Sequence, residues 1–400
     1  MSSHIGTIAH LERTTERSAG YVTGALGTAV ILLGALYLNA TVSGRQALLF
    51  LTGVGAGFVL YHASFGFTSS WRAFATHGRG AGLRAQMLML ALTCAVFFPI
   101  LAHGQIFGQA VRGSVSPVGV SVVAGAFLFG VGMQLGGGCA SGTLYSAGGG
   151  NTRMLITLAA FVAGSVVGAA HMPWWSATPG IGPVSLMARL GLWPALGVSM
   201  ALFACISVMS TVVERRRYGG VSIGAEGGER RRLLRGPWPL LAGAVGLSAV
   251  NIATLMLSGR PWGVTSAFAL WGSKALAVSG VTVAAWPYWS TPVQAAALRA
   301  SITTDVTSMM DIGIMLGALA AACLAGQFAP GWRVSARSAA AAVVGGLLLG
   351  YGARIAYGCN IGAYFSGIAS GSLHGWVWLI AAFLGSAVGV QLRPRFGLSR

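Results

Sequence analysis

About eleven stretches of this chain stay apolar for close to the length of a membrane-crossing helix. Together they hold three formal charges, on Lys274, Asp311 and Arg354. The stretches are 21–38, 47–61, 86–102, 118–135, 154–170, 192–213, 238–257, 267–285, 310–325, 339–355 and 376–390. A helix of about 20 apolar residues crosses about 30 Å of hydrocarbon. Only 8% of the residues are charged and 55% are hydrophobic, against about 25% charged in a soluble domain. Such a chain cannot clothe a soluble fold with a polar surface, and an all-α polytopic membrane protein is expected.

Shorter apolar pieces at 65–74, 140–147 and 361–368 cannot cross alone and read as half-helices. Glycine contributes 61 residues. With no third-residue period, that abundance suits closely packed or interrupted membrane helices. The 25 basic and 7 acidic residues give a net charge of +18. Much of this charge lies between the apolar runs, where it orients the chain. Lipids are therefore the expected surroundings, and no nucleic-acid partner is expected. A few arginines could also draw an anion toward a pore mouth.

The strongest hydrophilic break is VERRRYGGVSIGAEGGERRRLLRG at 213–236, with seven arginines and three glutamates. It is expected to be a cytoplasmic linker between an N-terminal transmembrane repeat, 1–212, and a C-terminal one, 237–400. The uncharged HMPWWSATPGIGPVS at 171–185 belongs on the opposite side, one span away. The C-terminal RPRFGLSR is basic and expected to be cytoplasmic. The opening MSSHIGTIAHLERTTERSAG has no cleavable signal pattern, so the first helix is expected to target and anchor the protein.

An internal repeat supports the division into halves. FGVGMQLGGGCASGTLYSAG begins at Phe129 and LGYGARIAYGCNIGAYFSGI at Leu349, at an offset of 220. Gly138 and Cys139 fall on Gly358 and Cys359, and Ser146 falls on Ser366. The next helices echo each other through Gly164/Gly168 and Gly385/Gly389, spacings that suit close helix contact. A weaker pair aligns Thr68 and Ser69 with Thr265 and Ser266. The order of motifs leaves parallel and inverted repeats both open. Inverted repeats are preferred because broken helices are common in transporters built that way.

A helix that stops within a membrane exposes backbone groups that need protein partners or a polar cavity. The start of the next short helix offers free N–H groups that favour an anion. Cys139 and Cys359 stand at such starts. Ser141, Thr143 and Ser146 add hydroxyls in the first copy, and Asn360, Tyr364 and Ser366 add donors in the second. The packing alternative is that both glycine frames only let helices cross closely. Cys94, Cys205 and Cys323 have apolar neighbours and no repeat, and read as small core hydrophobes.

Thr68, Ser69, Thr265 and Ser266 line a pore or cap helices. Arg354 neutralises substrate charge or snorkels to headgroups, and Lys274 reads as snorkelling. Asp305 and Asp311 read as an ion pair, a proton path or, more simply, a polar loop. No metal-ligand spacing or nucleotide-binding signature is present.

The twin GxGxxxxxGCxxGxxxS blocks around Cys139 and Cys359 resemble the YeeE/YedE sulfur-transport family over most of residues 21–393. The resemblance implies an integral membrane permease with a pseudo-symmetric helical fold. It also implies transient contacts of thiosulfate with central cysteines, here Cys139 and Cys359. Thiosulfate-type relatives can carry another cysteine in the shorter motif, where this chain has Thr68-Ser69 and Thr265-Ser266. Some relatives pair with a small soluble sulfur-carrier protein, and others are linked to selenium or other sulfur species.

The expected function is uptake of a small sulfur-containing anion, thiosulfate first. The path would involve Cys139, Cys359, Gly138, Gly358, Ser141, Ser146, Asn360 and Ser366, with Thr68, Ser69, Thr265, Ser266 and Arg354. No cofactor, metal or catalytic residue is expected. The alternatives are a membrane sulfurtransferase or redox relay using the two cysteines, and a structural subunit that receives a carrier protein.

Overall fold

The computed structural model describes residues 2–222 and 234–399, with side chains from residue 22 onward. Residues 223–233 of the basic segment, and the side chains of the polar N-terminal stretch, lie outside the described residues. The apolar stretches are helices. The first half holds α1 (Ser2–Thr41), α2 (Gly44–His62), α3 (Phe67–His77), α4 (Ala81–His103), α5 (Val120–Gly136), α6 (Ala140–Gly148) and α7 (Thr152–Ser176). After a short α8 (Leu186–Leu190) come α9 (Leu192–Tyr218), α10 (Leu240–Ser258), α11 (Thr265–Val278) and α12 (Pro292–Arg299). The chain ends with α13 (Val306–Ala325), α14 (Ala336–Ile355), a π-helical turn (Asn360–Phe365), α15 (Ser366–Ala369) and α16 (Leu373–Leu392). Strands among the described residues make only two small ribbons.

Ten segments of the described chain are long and apolar enough to cross a membrane. The expected crossing at 267–285 is corrected: that region forms the 14-residue α11, which stops at the Ser279–Gly280 turn. A helix of that length reaches about 21 Å, short of the hydrocarbon layer. The three expected half-helices are present as α3, α6 and the π turn with α15. Asp305 caps α13 by accepting from the Ser308 N–H at 2.8 Å. Asp311 therefore lies inside a helix and not in the polar loop expected. Lys274 donates to the Leu298 and Ala300 carbonyls, both at 2.7 Å, so it caps the C-terminal end of α12 rather than reaching headgroups.

Contacts between glycines set the helix directions. Gly125 of α5 lies against the Gly352 carbonyl of α14, and Gly132 lies against the Gly345 carbonyl. Rising numbers on one helix meet falling numbers on the other, so α5 and α14 are antiparallel. The offset of 220 exchanges these two contacts. Gly243 and Gly246 of α10 meet Ala63 and Val59 at the end of α2, again antiparallel. Equivalent helices run in opposite directions, so the two copies are inverted.

Other pairs repeat across the halves. Gly164 of α7 packs on the Leu347 carbonyl of α14, and Gly385 of α16 packs on the Phe127 carbonyl of α5. These are the paired glycines expected to make close contacts. Helix α13 packs along α2 as α4 packs along α10. A Cβ added at Gly57 would stand 2.0 Å from the Ile314 oxygen. Such approach gains dispersion between helices that lipid would otherwise solvate equally well.

One end of the bundle carries several arginines. Tyr218 at the end of α9 donates to the His77 carbonyl at 2.8 Å. Arg153 of α7 and Arg393 after α16 reach carbonyls at the end of α5. At this end Glu214 is fully buried and meets Arg84 at 2.8 Å. The opposite end is closed by the β3 (Pro117–Gly119) and β4 (Gly180–Pro183) ribbon.

Candidate functional site

Helix α5 stops short. Its last residue, Gly136, packs beside Gly345 near the middle of α14. Gly137 then takes φ +93, a turn a side chain resists. The exposed helix end is satisfied by Arg153, which donates to the Gly136 carbonyl at 2.8 Å and the Leu135 carbonyl at 2.6 Å. Cys139 caps α6: its Sγ accepts from the Gly142 N–H at 3.4 Å and lies 3.5 Å from Ser141 Oγ. In the second copy Gly358 takes φ +150, and Cys359 opens the π turn.

The two starts differ for a visible reason. The Cys139 carbonyl accepts from the Thr143 N–H and the Thr143 hydroxyl, both at 2.8 Å. The second copy has Ala363 at that position, without a hydroxyl. The Cys359 carbonyl instead accepts from the Ala363 and Tyr364 N–H groups, at 2.8 and 3.3 Å. The second of these bonds is what widens the turn into a π helix.

Cys139 and Cys359 are both buried, and α6 packs against the π turn. The helices that follow the cysteines belong to inverted copies, so two positive helix ends converge with a thiol at each. Asn360 is fully buried with neither its amide nitrogen nor its oxygen bonded. Gly138 packs on the Gly142–Thr143 peptide, and Gly358 on the Ala363 N–H, keeping each turn tight.

Ser366 is held away from open space. It donates to the Trp262 carbonyl at 2.6 Å and accepts from Asn251 Nδ2 at 3.1 Å. Its counterpart Ser146 is half-buried, and its carbonyl accepts from the Asn151 N–H at 2.9 Å. Asn251 also accepts from the Trp262 N–H at 2.9 Å and so ties α10 to both motifs of the second copy. Sequence reasoning missed it, although a lone amide in the apolar run 238–257 is a signal of its own.

The short hydroxyl motifs match in burial: Thr68 and Thr265 are each 4% exposed, whereas Ser69 and Ser266 are exposed. Thr68 Oγ1 has no partner. Ser69 donates to the Gly66 carbonyl at 3.1 Å, and Ser266 to Thr307 Oγ1 at 3.2 Å. Arg354 donates to the Thr265 carbonyl at 3.0 Å and to the Tyr288 hydroxyl. Tyr288 lies in a loop that carries no motif, so nothing in the sequence marked it.

A cleft of about 500 Å³ opens at the end away from the cations. Arg354, Thr265, Ser266 and Trp262 line it, and it reaches Gly358 and Gly362 on either side of Cys359. Thus the structure gathers Arg354, Thr265, Ser266 and Gly358 in one open cleft. Cys139 and Cys359 lie buried behind it, and Thr68 and Ser69 belong to the mirrored motif on α3.

Inverted halves, interrupted helices and converging helix starts define a multi-pass α-helical membrane protein, built on the plan of transporters. The chain belongs to the sulphur transport family, whose model matches residues 62–388. It is 32% identical over 154 residues to the probable transporter YedE of Escherichia coli K12, covering 38% of this chain and 37% of that relative. The thiosulfate transporter TsuA of Spirochaeta thermophila is 25% identical over 288 residues, 67% of this chain and 76% of the relative. TsuA of Escherichia coli K12 is 24% identical over 352 residues, 84% and 91% of the two chains.

Proposed function

We propose that this protein is a permease for a small sulfur-containing anion, thiosulfate first, with a path between Cys139 and Cys359. The observation that carries the reading is the meeting of two short helix starts from inverted halves, each opened by a buried cysteine, beside an arginine-bearing cleft. An anion leaving water needs its hydration replaced. Converging N–H groups, Asn360 and the hydroxyls at Thr68 and Thr265 can do so, while the thiols offer polarizable contacts to sulfur. Each contact is weak enough to let the ion go on. The similarity to thiosulfate transporters at modest identity supports this cargo over other sulfur or selenium anions.

By the positive-inside rule the cationic end faces the cytoplasm, and the Arg354 cleft faces outward. The end of α9 and the described residues 219–222 and 234–236 then lie on the cytoplasmic side. The packing favours a repeat boundary before α9, because α9 packs on α4 as α1 packs on α13. Each half then holds five of the ten crossings, and an odd number per half produces inversion.

The test is uptake of labelled thiosulfate by vesicles containing only the purified chain, with sulfate, sulfite and selenium analogues alongside. Specific uptake supports a permease that needs no soluble sulfur carrier. A folded protein that takes up no sulfur species sinks the reading. A persulfide trapped on either cysteine during turnover would favour the sulfurtransferase.

A further inference from the structure

Three acidic side chains are described in this basic protein. Glu214 meets Arg84, and Asp305 meets Arg260 at 4.0 Å while capping α13. Asp311 is fully buried, and neither of its carboxylate oxygens has a partner. A bare carboxylate in such a place carries a large, uncompensated desolvation cost. A bound proton removes that cost without any other group moving.

The position of Asp311 is equally specific. Residues four apart share a helix face. One turn before Asp311, Thr307 accepts from Ser266 of the outer cleft at 3.2 Å. One turn after it, the Met315 carbonyl lies against Gly148 of the helix that Cys139 caps. Met310 and Ile314, on the adjoining face, pack on Gly53 and Gly57 of α2. Asp311 therefore lies on the stripe of α13 that links the cleft motif to the Cys139 helix.

Among the described residues no neighbouring cation neutralises it. Helix α13 packs against α1, α2, α6, α11 and the 3-10 turn Ile302–Thr304, which holds no titratable group. Lys274 of α11 is bonded to the Leu298 and Ala300 carbonyls. The other titratable groups of these helices with described side chains are Tyr37 of α1, Arg45, Tyr61 and His62 of α2, and Tyr145 of α6. None bonds to Asp311.

We propose that Asp311 is a proton-binding site on the transport path and that a proton accompanies each inward-moving anion. The inference rests on the permease reading. The proton adds to a carboxylate oxygen from the outer side and leaves the same oxygen toward the cytoplasm. One proton per turn lowers the net charge moved with a divalent anion by one unit.

The test uses the full chain in vesicles, with the membrane potential clamped by potassium and valinomycin. An inward pH gradient is expected to raise thiosulfate accumulation by up to about tenfold per pH unit. A trapped pH dye should report proton entry only when thiosulfate is present. Asp311→Asn should lose both effects while still exchanging labelled for unlabelled thiosulfate. Uptake by the unaltered protein that ignores the gradient, or an Asp311→Asn protein that follows it equally well, overturns the proposal.

Because the chain has only two aspartates, aspartate-labelled protein gives a second readout independent of transport and of any variant. Infrared spectra at neutral pH should show a labelled, protonated carboxyl band. Its absence overturns the proton site. Absence of all sulfur uptake with the band present removes the permease reading and leaves the proton site standing.

Discussion

Arg354 holds the carbonyl of Thr265 at 3.0 Å. Gln134, 220 positions earlier, holds the carbonyl of Thr68 at 3.1 Å through Nε2. One clamp therefore recurs in both halves, charged beside the open cleft and neutral in the other copy. The neutral clamp borrows its charge from elsewhere, since Arg72 reaches Gln134 Oε1 at 3.5 Å and Arg393 reaches its carbonyl at 2.6 Å.

The outer charge should act on capture. Arg354→Gln keeps a donor for Thr265 but removes about 1–2 kcal/mol of attraction for an anion in the half-buried cleft. The KM for thiosulfate uptake should rise about tenfold at low salt, with a smaller change at high salt. Initial rates at two ionic strengths check this. An unchanged KM would remove Arg354 from the path.

The cysteines should be separable by position. Cys139→Ser and Cys359→Ser should each slow uptake on the order of tenfold, the loss of one contact of about 1.4 kcal/mol. Cys205→Ser, at an exposed position on α9, should leave uptake and expression unchanged. Full activity in both path variants would mean that the glycine frames serve packing alone.

Packing predicts a contrast within one helix. Gly57→Ala places a Cβ 2.0 Å from the Ile314 oxygen, a backbone atom that cannot swing aside. It should destabilise the protein by about 1–3 kcal/mol or more. Two residues earlier, a Cβ at Gly55 meets nothing within 4 Å, so Gly55→Ala should be neutral or slightly stabilising. Thermal unfolding in detergent compares the two.

At the cationic end Glu214 accepts from the N–H groups of Gly80 and Ser222, both at 3.3 Å, besides meeting Arg84. Glu214→Ala leaves Arg84 without its counter-ion and should cost about 2–4 kcal/mol. The same thermal assay should show a lower Tm.

The crossings, the half-helices and the duplicated cysteine blocks were legible from residue order. Each rests on local properties: length, apolarity, and glycine before a polar start. The exception, 267–285, shows the limit of that signal. Its composition is apolar enough, but the turn at Ser279–Gly280 and the 3-10 turns after it shorten the helix to α11. The π turn after Cys359 was not legible either, because it depends on which groups share one carbonyl.

Residue order therefore specifies a helical membrane protein made of two related copies with paired cysteines at helix starts. That the copies are inverted emerges in three dimensions, because direction appears in which glycine meets which carbonyl: Gly125 with Gly352, Gly132 with Gly345. Folding likewise separated Asp305 from Asp311. Both are aspartates near the start of one apolar run, and local sequence gives them the same choices. Packing leaves the first at a capped, partly open helix start and buries the second where, among the described residues, no group bonds its carboxylate.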